Sequence, residues 1–156
     1  PIHSSAASDV YKRQVSAGVV TVTASGGSLQ SRTIVSASTT SIADDAVGFT
    51  TAAGFKAYTL MKVGVSTAAW IRIYTDSTSR ANDSSRSVGE DPSPGSGVIA
   101  EVVTTGISTQ QMITPFAMGG NMDDPVSNVI YLAIKNLSGS TQTITANLTI
   151  LQLEAQ

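Results

Sequence analysis

Three side chains in one short segment have the types and the spacing to bind a sugar. Trp70, Arg72 and Tyr74 alternate within AWIRIYTD (69–76), so on a β-strand they would share one face. Two aromatic rings that flank a guanidinium could stack on a sugar ring. The alternative is a covered outer face, on which Arg72 packs between the rings or pairs with a carboxylate from the following loop.

A long polar loop follows this segment. Residues 77–96, STSRANDSSRSVGEDPSPGS, are rich in serine, proline and glycine. Structureless loops longer than about 12–15 residues are usually functional or disordered. With three residues of this loop added, the candidate surface-binding set is Trp70, Arg72, Tyr74, Arg80, Asp83 and Arg86.

Acidic residues cluster in two loops and could supply oxygen ligands to calcium. They are Asp83, Glu90, Asp91, Asp123 and Asp124. No EF-hand spacing is present, and EDP and DDP are also ordinary turn sequences, so we favour turns. Glu101 lies inside a predicted strand, where we expect it to be exposed at the rim or salt-bridged. It has no convincing partner for glycoside hydrolysis.

Histidine and cysteine chemistry is almost excluded. The chain has no cysteine, and its one histidine is His3, which lies in a segment that we exclude from the fold below. Ser-His-Asp and Cys-His catalysis and histidine-ligated zinc therefore have no candidates. We predict no catalytic residues, no cofactor and no metal, and hence no enzyme.

The N-terminal segment has a foreign origin. Residues 4–14, SSAASDVYKRQ, resemble the translation of a transposase-based sequencing adapter, codon for codon. We therefore assign residues 1–14 to an artefact and residues 15–156 to a single domain. We expect the source to be assembled environmental DNA, and this domain to be the C-terminal part of a longer or truncated chain.

Alternating apolar residues and turn sequences predict strands throughout the domain. In residues 55–66 the alternation places Met61, Val63 and Val65 on one face, with Tyr58 and Leu60 on the other. Residues 128–136 and 141–153 form the two clearest strands, and SGS (138–140) predicts a hairpin between them. Ile150-Leu151 breaks the alternation and suggests a bulge or a strand covered on both sides. Further strands are predicted at 19–24, 32–36, 69–76, 97–105 and 111–114.

These strands have no amphipathic helix pattern between them. The sequence therefore predicts an all-β fold, an antiparallel β-sandwich that is jelly-roll-like. The formal net charge is only −2, and the basic residues are scattered. We expect neither a nucleic-acid partner nor membrane insertion.

Whole segments of the chain resemble one class of proteins. They are GFKAYTLMKVGVSTAAWIRIYTDSTSRANDSSR (54–86), DPSPGSGVIAEVVTTG (91–106) and AIKNLSGSTQTITANLTILQLEA (133–155). They are similar to virion structural or tail-fibre-associated proteins of tailed phages that infect marine bacteria, cyanophages included. The resemblance covers about residues 43–155 and implies a β-rich particle component, located in the virion. It carries over no catalytic residue.

Three functions remain open. The first is a phage virion structural module of a tail fibre or tail tip, with other virion proteins as partners. Such a module would act by assembly as a homo-oligomer, a trimer if it is a fibre tip, and it could also contact a host-surface glycan. The second is a carbohydrate-binding module of a secreted protein, which would use the Trp70 face. The third is a glycosidase or lyase fragment, for which no acidic pair is evident.

Overall fold

Two four-stranded antiparallel sheets pack face to face and form a β-sandwich. A computed structural model describes residues 31–106 and 110–154. Sheet 1 has the strand order β1-β8-β3-β6, and sheet 2 has the order β2-β7-β4-β5. The strands are β1 (Thr33–Ser38), β2 (Val47–Ala53), β3 (Ala57–Val65), β4 (Ala69–Tyr74), β5 (Val98–Thr104), β6 (Gln110–Gly120), β7 (Val129–Asn136) and β8 (Thr145–Gln152). One short helix, α1 (Ser77–Asn82), follows β4. The predicted antiparallel sandwich is confirmed.

The core lies between the two sheets and is built from alternate residues of each strand. Ile71 and Ile73 of β4 point into it, and Leu60 and Val63 of β3 meet them from the other sheet. The apolar faces predicted near the C-terminus are all buried in this layer: Ile130, Leu132, Ile134, Ile144, Ala146, Leu148 and Ile150. The period-2 pattern therefore identified the core side of these strands correctly.

The predicted hairpin between the last two strands is wrong. β7 pairs with β2 and β4, whereas β8 pairs with β1 and β3. The connecting segment crosses from one sheet to the other, and Asn136 supports the crossing by donating from Nδ2 to the carbonyl oxygens of Ile42 (3.0 Å) and Ser140 (2.7 Å). The two apolar faces match because they meet across the core and not because the strands are neighbours.

The predicted irregularity near Ile150 lies on the partner strand. The register between β3 and β8 shifts between Leu60 and Lys62, which pair with Ile150 and Thr149. Met61 is the extra residue of this bulge. The bulge reverses the alternation of β3, so Val63 joins Leu60 in the core, and the prediction that they lie on opposite faces is wrong.

Three elements differ in extent from their predictions. β2 was not predicted, because VGFTTAA has few large apolar residues. β6 was predicted as residues 111–114, but it continues through Pro115 to Gly120, which is possible because β6 is an edge strand. The long polar loop contains α1. The adapter-like residues and the predicted strand at 19–24 lie outside the described residues. No helix of the described part is long and apolar enough to cross a membrane.

Candidate functional site

The sequence-predicted sugar platform is closed. Trp70, Arg72 and Tyr74 share the outer face of β4, as expected, but each is at most 1% exposed. The covering segment, defined here as residues 75–97 with α1 inside it, lies over this face. The prediction that these three side chains form a binding surface is therefore wrong. The alternative of a covered outer face is confirmed.

The covering segment is fastened at both ends. Asp76 caps α1 by accepting hydrogen bonds from the Ser79 amide (2.7 Å), the Ser79 hydroxyl (2.7 Å) and the Thr75 hydroxyl (2.8 Å). The hydrogen bond from the Ser79 amide is the main reason that the pKa of Asp76 lies below its usual value. At the far end lies Gly97, which has a φ of +73°. A Cβ at this position would overlap the hydroxyls of Ser79 and Thr75. Only glycine fits this close approach.

Asp83 is the central acceptor under the segment. Its Oδ2 accepts from Tyr74 Oη (2.6 Å) and from Arg72 Nη1 (3.2 Å), and its Oδ1 accepts from Arg86 Nε (2.8 Å). Its backbone carbonyl also accepts from Arg72 Nη1 at 2.7 Å. Arg72 is fully buried, so Asp83 supplies the carboxylate that the buried guanidinium needs.

Two guanidinium groups pack on the single tryptophan. The Cζ of Arg72 lies 4.1 Å from the centroid of the Trp70 ring, and that of Arg86 lies 4.9 Å away. Arg86 Nη2 also forms an ion pair with Glu101 Oε2 at 2.8 Å, so Glu101 is salt-bridged, one of its two expected states. Two arginines and two carboxylates thus balance in charge around the ring. We call these residues the Asp83 cluster: Trp70, Arg72, Tyr74, Asp83, Arg86 and Glu101.

The cluster shifts the acidity of its members. Burial alone would raise the pKa of Asp83, but hydrogen bonds from Arg86 and Tyr74 and the charges of both arginines outweigh it, so the pKa lies below the usual value. Burial and the hydrogen bond to Asp83 raise the pKa of Tyr74 well above the usual range. Burial alone would lower the pKa of Arg86, but its two carboxylate partners, Asp83 and Glu101, outweigh burial and raise the pKa above its usual value.

Arg80, the remaining member of the predicted set, attaches α1 to the strands below. Its Nη1 donates to the Thr50 carbonyl at 2.8 Å. Its Cζ lies 5.0 Å from the Phe49 ring centroid and 5.1 Å from that of Tyr131. All six predicted residues therefore come together on the outer face of sheet 2. Five of them contact one another, Arg80 contacts the neighbouring strands β2 and β7, and together they hold the covering segment in place.

The acidic loop residues do not converge as a calcium site. Among the residues that the structure describes, no three His, Cys, Asp or Glu side chains are grouped so that they could hold a metal ion. Asp83 is held by arginines, and Asp123 accepts from Asn121 Nδ2 (2.9 Å) and Tyr131 Oη (2.8 Å) in a turn. The preference for turn chemistry fits these contacts.

The outer face of sheet 1 carries the features that the sequence reasoning missed. Edge strand β6 exposes three large apolar side chains, Met112, Phe116 and Met118, of which Met118 is 77% exposed. We call them the β6 row. Beside Gly64 of β3 lies a cleft of about 400 Å³ that polar and apolar residues line together. The uncharged run QQMITPFAMGG was the available signal for the row, but Pro115 made the strand look short.

No protein-family model matches the chain, and no curated protein sequence matches it significantly.

Proposed function

We propose that this chain is a structural module of a tailed-phage virion, a part of a tail fibre or tail tip, that acts by assembly and not by catalysis. The observation that carries the proposal is the β6 row on an uncharged edge strand. The occupant that we assign to this surface is a second copy of the same chain. Other virion proteins would bind the rest of the assembly.

The chemistry of β6 supports self-association. An edge strand presents unpaired N–H and C=O groups, and monomeric proteins usually protect such edges with charged residues, proline, bulges or short strands. Pro115 and a bulge interrupt the backbone edge of β6, so the contact that we propose is made by side chains. β6 has 11 residues and carries no charge. Two copies can therefore approach each other along this strand without like-charge repulsion. Burying Met118 and Phe116 between copies would remove apolar surface from water, which favours association.

The strand order supports the class of module. The strands pair as β1–β8, β2–β7, β3–β6 and β4–β5. A jelly roll is a long antiparallel hairpin folded over into two sheets and has the same four pairs, so this pairing supports the proposal of a jelly-roll topology. Jelly rolls are frequent in viral capsid and lectin domains. A fold alone does not define a function. The resemblance of residues 43–155 to phage virion proteins supports a viral module over a lectin.

A sugar-binding module of a secreted protein is the weaker candidate. Its predicted platform, the Trp70 face, is covered. For a host-surface glycan to bind, the chain would have to offer another site.

Sedimentation velocity with matched variants tests the assembly surface. We expect the wild-type chain to sediment as an oligomer, and Phe116→Lys/Met118→Lys to sediment as a folded monomer, because two buried charges oppose association. Ile34→Lys is the control. Ile34 is also an exposed apolar residue of sheet 1, but it lies on the opposite edge strand, β1.

An oligomer that survives the double substitution would overturn β6 as the contact. An oligomer lost equally in Ile34→Lys would show that the contact is not specific to β6. Circular dichroism of each variant establishes that the fold is retained.

A further inference from the structure

We infer that the cleft beside Gly64 binds an acidic saccharide, that is, a sugar that carries a carboxylate. The cleft lies on the outer face of sheet 1 and has a volume of about 400 Å³. Its walls are side chains of four adjacent strands that surround the glycine: Ile34, Lys62, Gln110, Asn147 and Thr149. This inference does not rest on the assembly proposal.

Gly64 creates the cleft. It lies inside β3, where it pairs with Gln110 of β6 and Asn147 of β8. A Cβ at this position would meet Gln110 Cγ at 3.6 Å, the Asn147 carbonyl oxygen at 3.9 Å and Asn147 Cβ at 4.0 Å. These are ordinary contact distances, so packing within the sheet does not require a glycine. Glycine inside a strand weakens it, and it often marks a bulge, a bend, or a place where a ligand or another backbone approaches closely. The bulge of β3 lies between Leu60 and Lys62, and Gly64 itself pairs in regular register.

The charge of the cleft selects an anion. Lys62 Nζ donates to Gln110 Oε1 at 2.9 Å, and among the described residues it has no carboxylate partner in an ion pair. None of the residues that line the cleft is acidic. A carboxylate that enters the cleft would therefore meet one cation and no like charge, and the ammonium offers two further protons for it.

The neutral side chains select a hydroxylated ligand. Asn147 Oδ1 already accepts from Ser36 Oγ at 2.7 Å, which orients the amide and leaves its NH₂ group as a donor. The amide of Gln110 and the hydroxyl of Thr149 add further donors and acceptors, and such a set suits the neighbouring hydroxyls of a sugar. Ile34, exposed at the rim, offers an apolar surface for the C–H face of a sugar ring.

The cleft stays accessible when a second copy contacts the Phe116 and Met118 end of β6. Met112, the third member of the β6 row, pairs with Lys62 and lies at the cleft end of the strand. Gly64 pairs with Gln110 at one end of β6, whereas Met118 pairs with Thr59. Gly64 and Thr59 are five residue steps apart on β3, which is about 17 Å along the strand. A contact centred on Met118 therefore leaves room for a ligand above Gly64.

Isothermal titration with a trimer of galacturonic acid tests the inference, with the neutral galactose trimer as the reference ligand. We expect saturable binding of the acidic trimer with a Kd of about 0.1–1 mM, because one ion pair and a few exposed hydrogen bonds give modest affinity. Lys62→Gln should weaken binding roughly tenfold, since a charge-assisted hydrogen bond is lost. Lys56→Gln, which removes the same charge near the other end of β3, should not change it.

Gly64→Val tests the shape of the cleft without changing its charge. Its Cβ fits at ordinary contact distances, and its methyl groups fill the cleft, so we expect binding to disappear while the melting temperature does not fall. The inference is overturned if the acidic trimer does not bind, if Lys62→Gln binds it as well as the wild type, or if the neutral trimer binds equally. Equal binding of acetate would show a carboxylate site only and would overturn the saccharide.

Discussion

Replacing Asp83 should break the cover over β4 and destabilise the whole domain. Asp83→Ala removes the carboxylate that accepts from Arg72, Tyr74 and Arg86 at 3.2, 2.6 and 2.8 Å. Arg72 would remain fully buried, with only the backbone carbonyl of residue 83 as a hydrogen-bond acceptor. A buried charge without its partner is much more costly than a lost surface pair.

The structure sets the expected size of this effect. Removing one partner of a buried ion pair typically costs about 3–5 kcal/mol, whereas a hydrogen bond to a charged group contributes about 1.5–3 kcal/mol. Arg86 keeps its second partner, Glu101, so we expect the free energy of unfolding to fall by about 3–4 kcal/mol. Asp83→Asn keeps an acceptor but loses the charge, so its free energy of unfolding should lie between those of Asp83→Ala and the wild type.

Urea unfolding followed by tryptophan fluorescence measures this loss directly, because Trp70 is the only tryptophan and lies inside the Asp83 cluster. Asp45→Asn is the matched control. Asp45 pairs with Lys135 at 2.7 Å, but its side chain is 78% exposed, so the expected loss is below about 1 kcal/mol. A loss of less than about 1 kcal/mol in Asp83→Ala would refute the assignment of Asp83 as the partner of a buried charge.

Three further predictions concern stability. Tyr58→Phe should leave the free energy of unfolding unchanged or raise it by about 1 kcal/mol, because the buried Tyr58 hydroxyl has no hydrogen-bond partner among the described residues. A clear loss in urea unfolding would contradict this. Gly97→Ala should lower thermal stability by about 1–3 kcal/mol, because the new Cβ overlaps its neighbours and the positive φ is strained. Gly89 has a similar positive φ but open space around it, so Gly89→Ala should cost less. Acid should destabilise the domain below about pH 4, the usual pKa of aspartate. Asp83 and Asp76 have lowered pKa values in the fold, so the unfolded chain binds protons first as the pH falls. Asp83→Ala should therefore lose less stability between pH 5 and pH 3 than the wild type, and an equal loss would contradict this.

Periodicity predicted which side of a strand is buried but not what covers the other side. The alternation in β4 correctly placed Trp70, Arg72 and Tyr74 on one face. The cover depends on α1, whose sequence STSRAN has no apolar stripe and is too short to show a helical period. The only local signal was Asp76 three residues before Ser79, a helix-capping pattern.

Strand neighbours were also beyond the reach of the pattern. β7 and β8 have matching apolar faces and a turn between them, which fits a hairpin and a crossover equally well. The contacts that decide between them join distant residues, such as Asn136 with Ile42. The bulge at Met61 likewise arises from pairing with β8, so the sequence of β3 alone could not indicate that Val63 faces the core.

The outer face of sheet 1 shows the same limit. Gly64 gives no signal in the sequence beyond a glycine inside a strand. The cleft depends on Lys62, Gln110 and Asn147, which surround Gly64 from three strands. The β6 row was visible as uncharged sequence. Its exposure, however, follows from the edge position of β6, which only the assembled sheet defines.

The mass of the chain in solution, measured by light scattering over a range of concentrations, tests the central claim most directly. A self-assembling virion module should give a multiple of the chain mass of 16.0 kDa, and a fibre tip should give three times that mass. A mass of 16.0 kDa at every concentration would contradict self-assembly through β6.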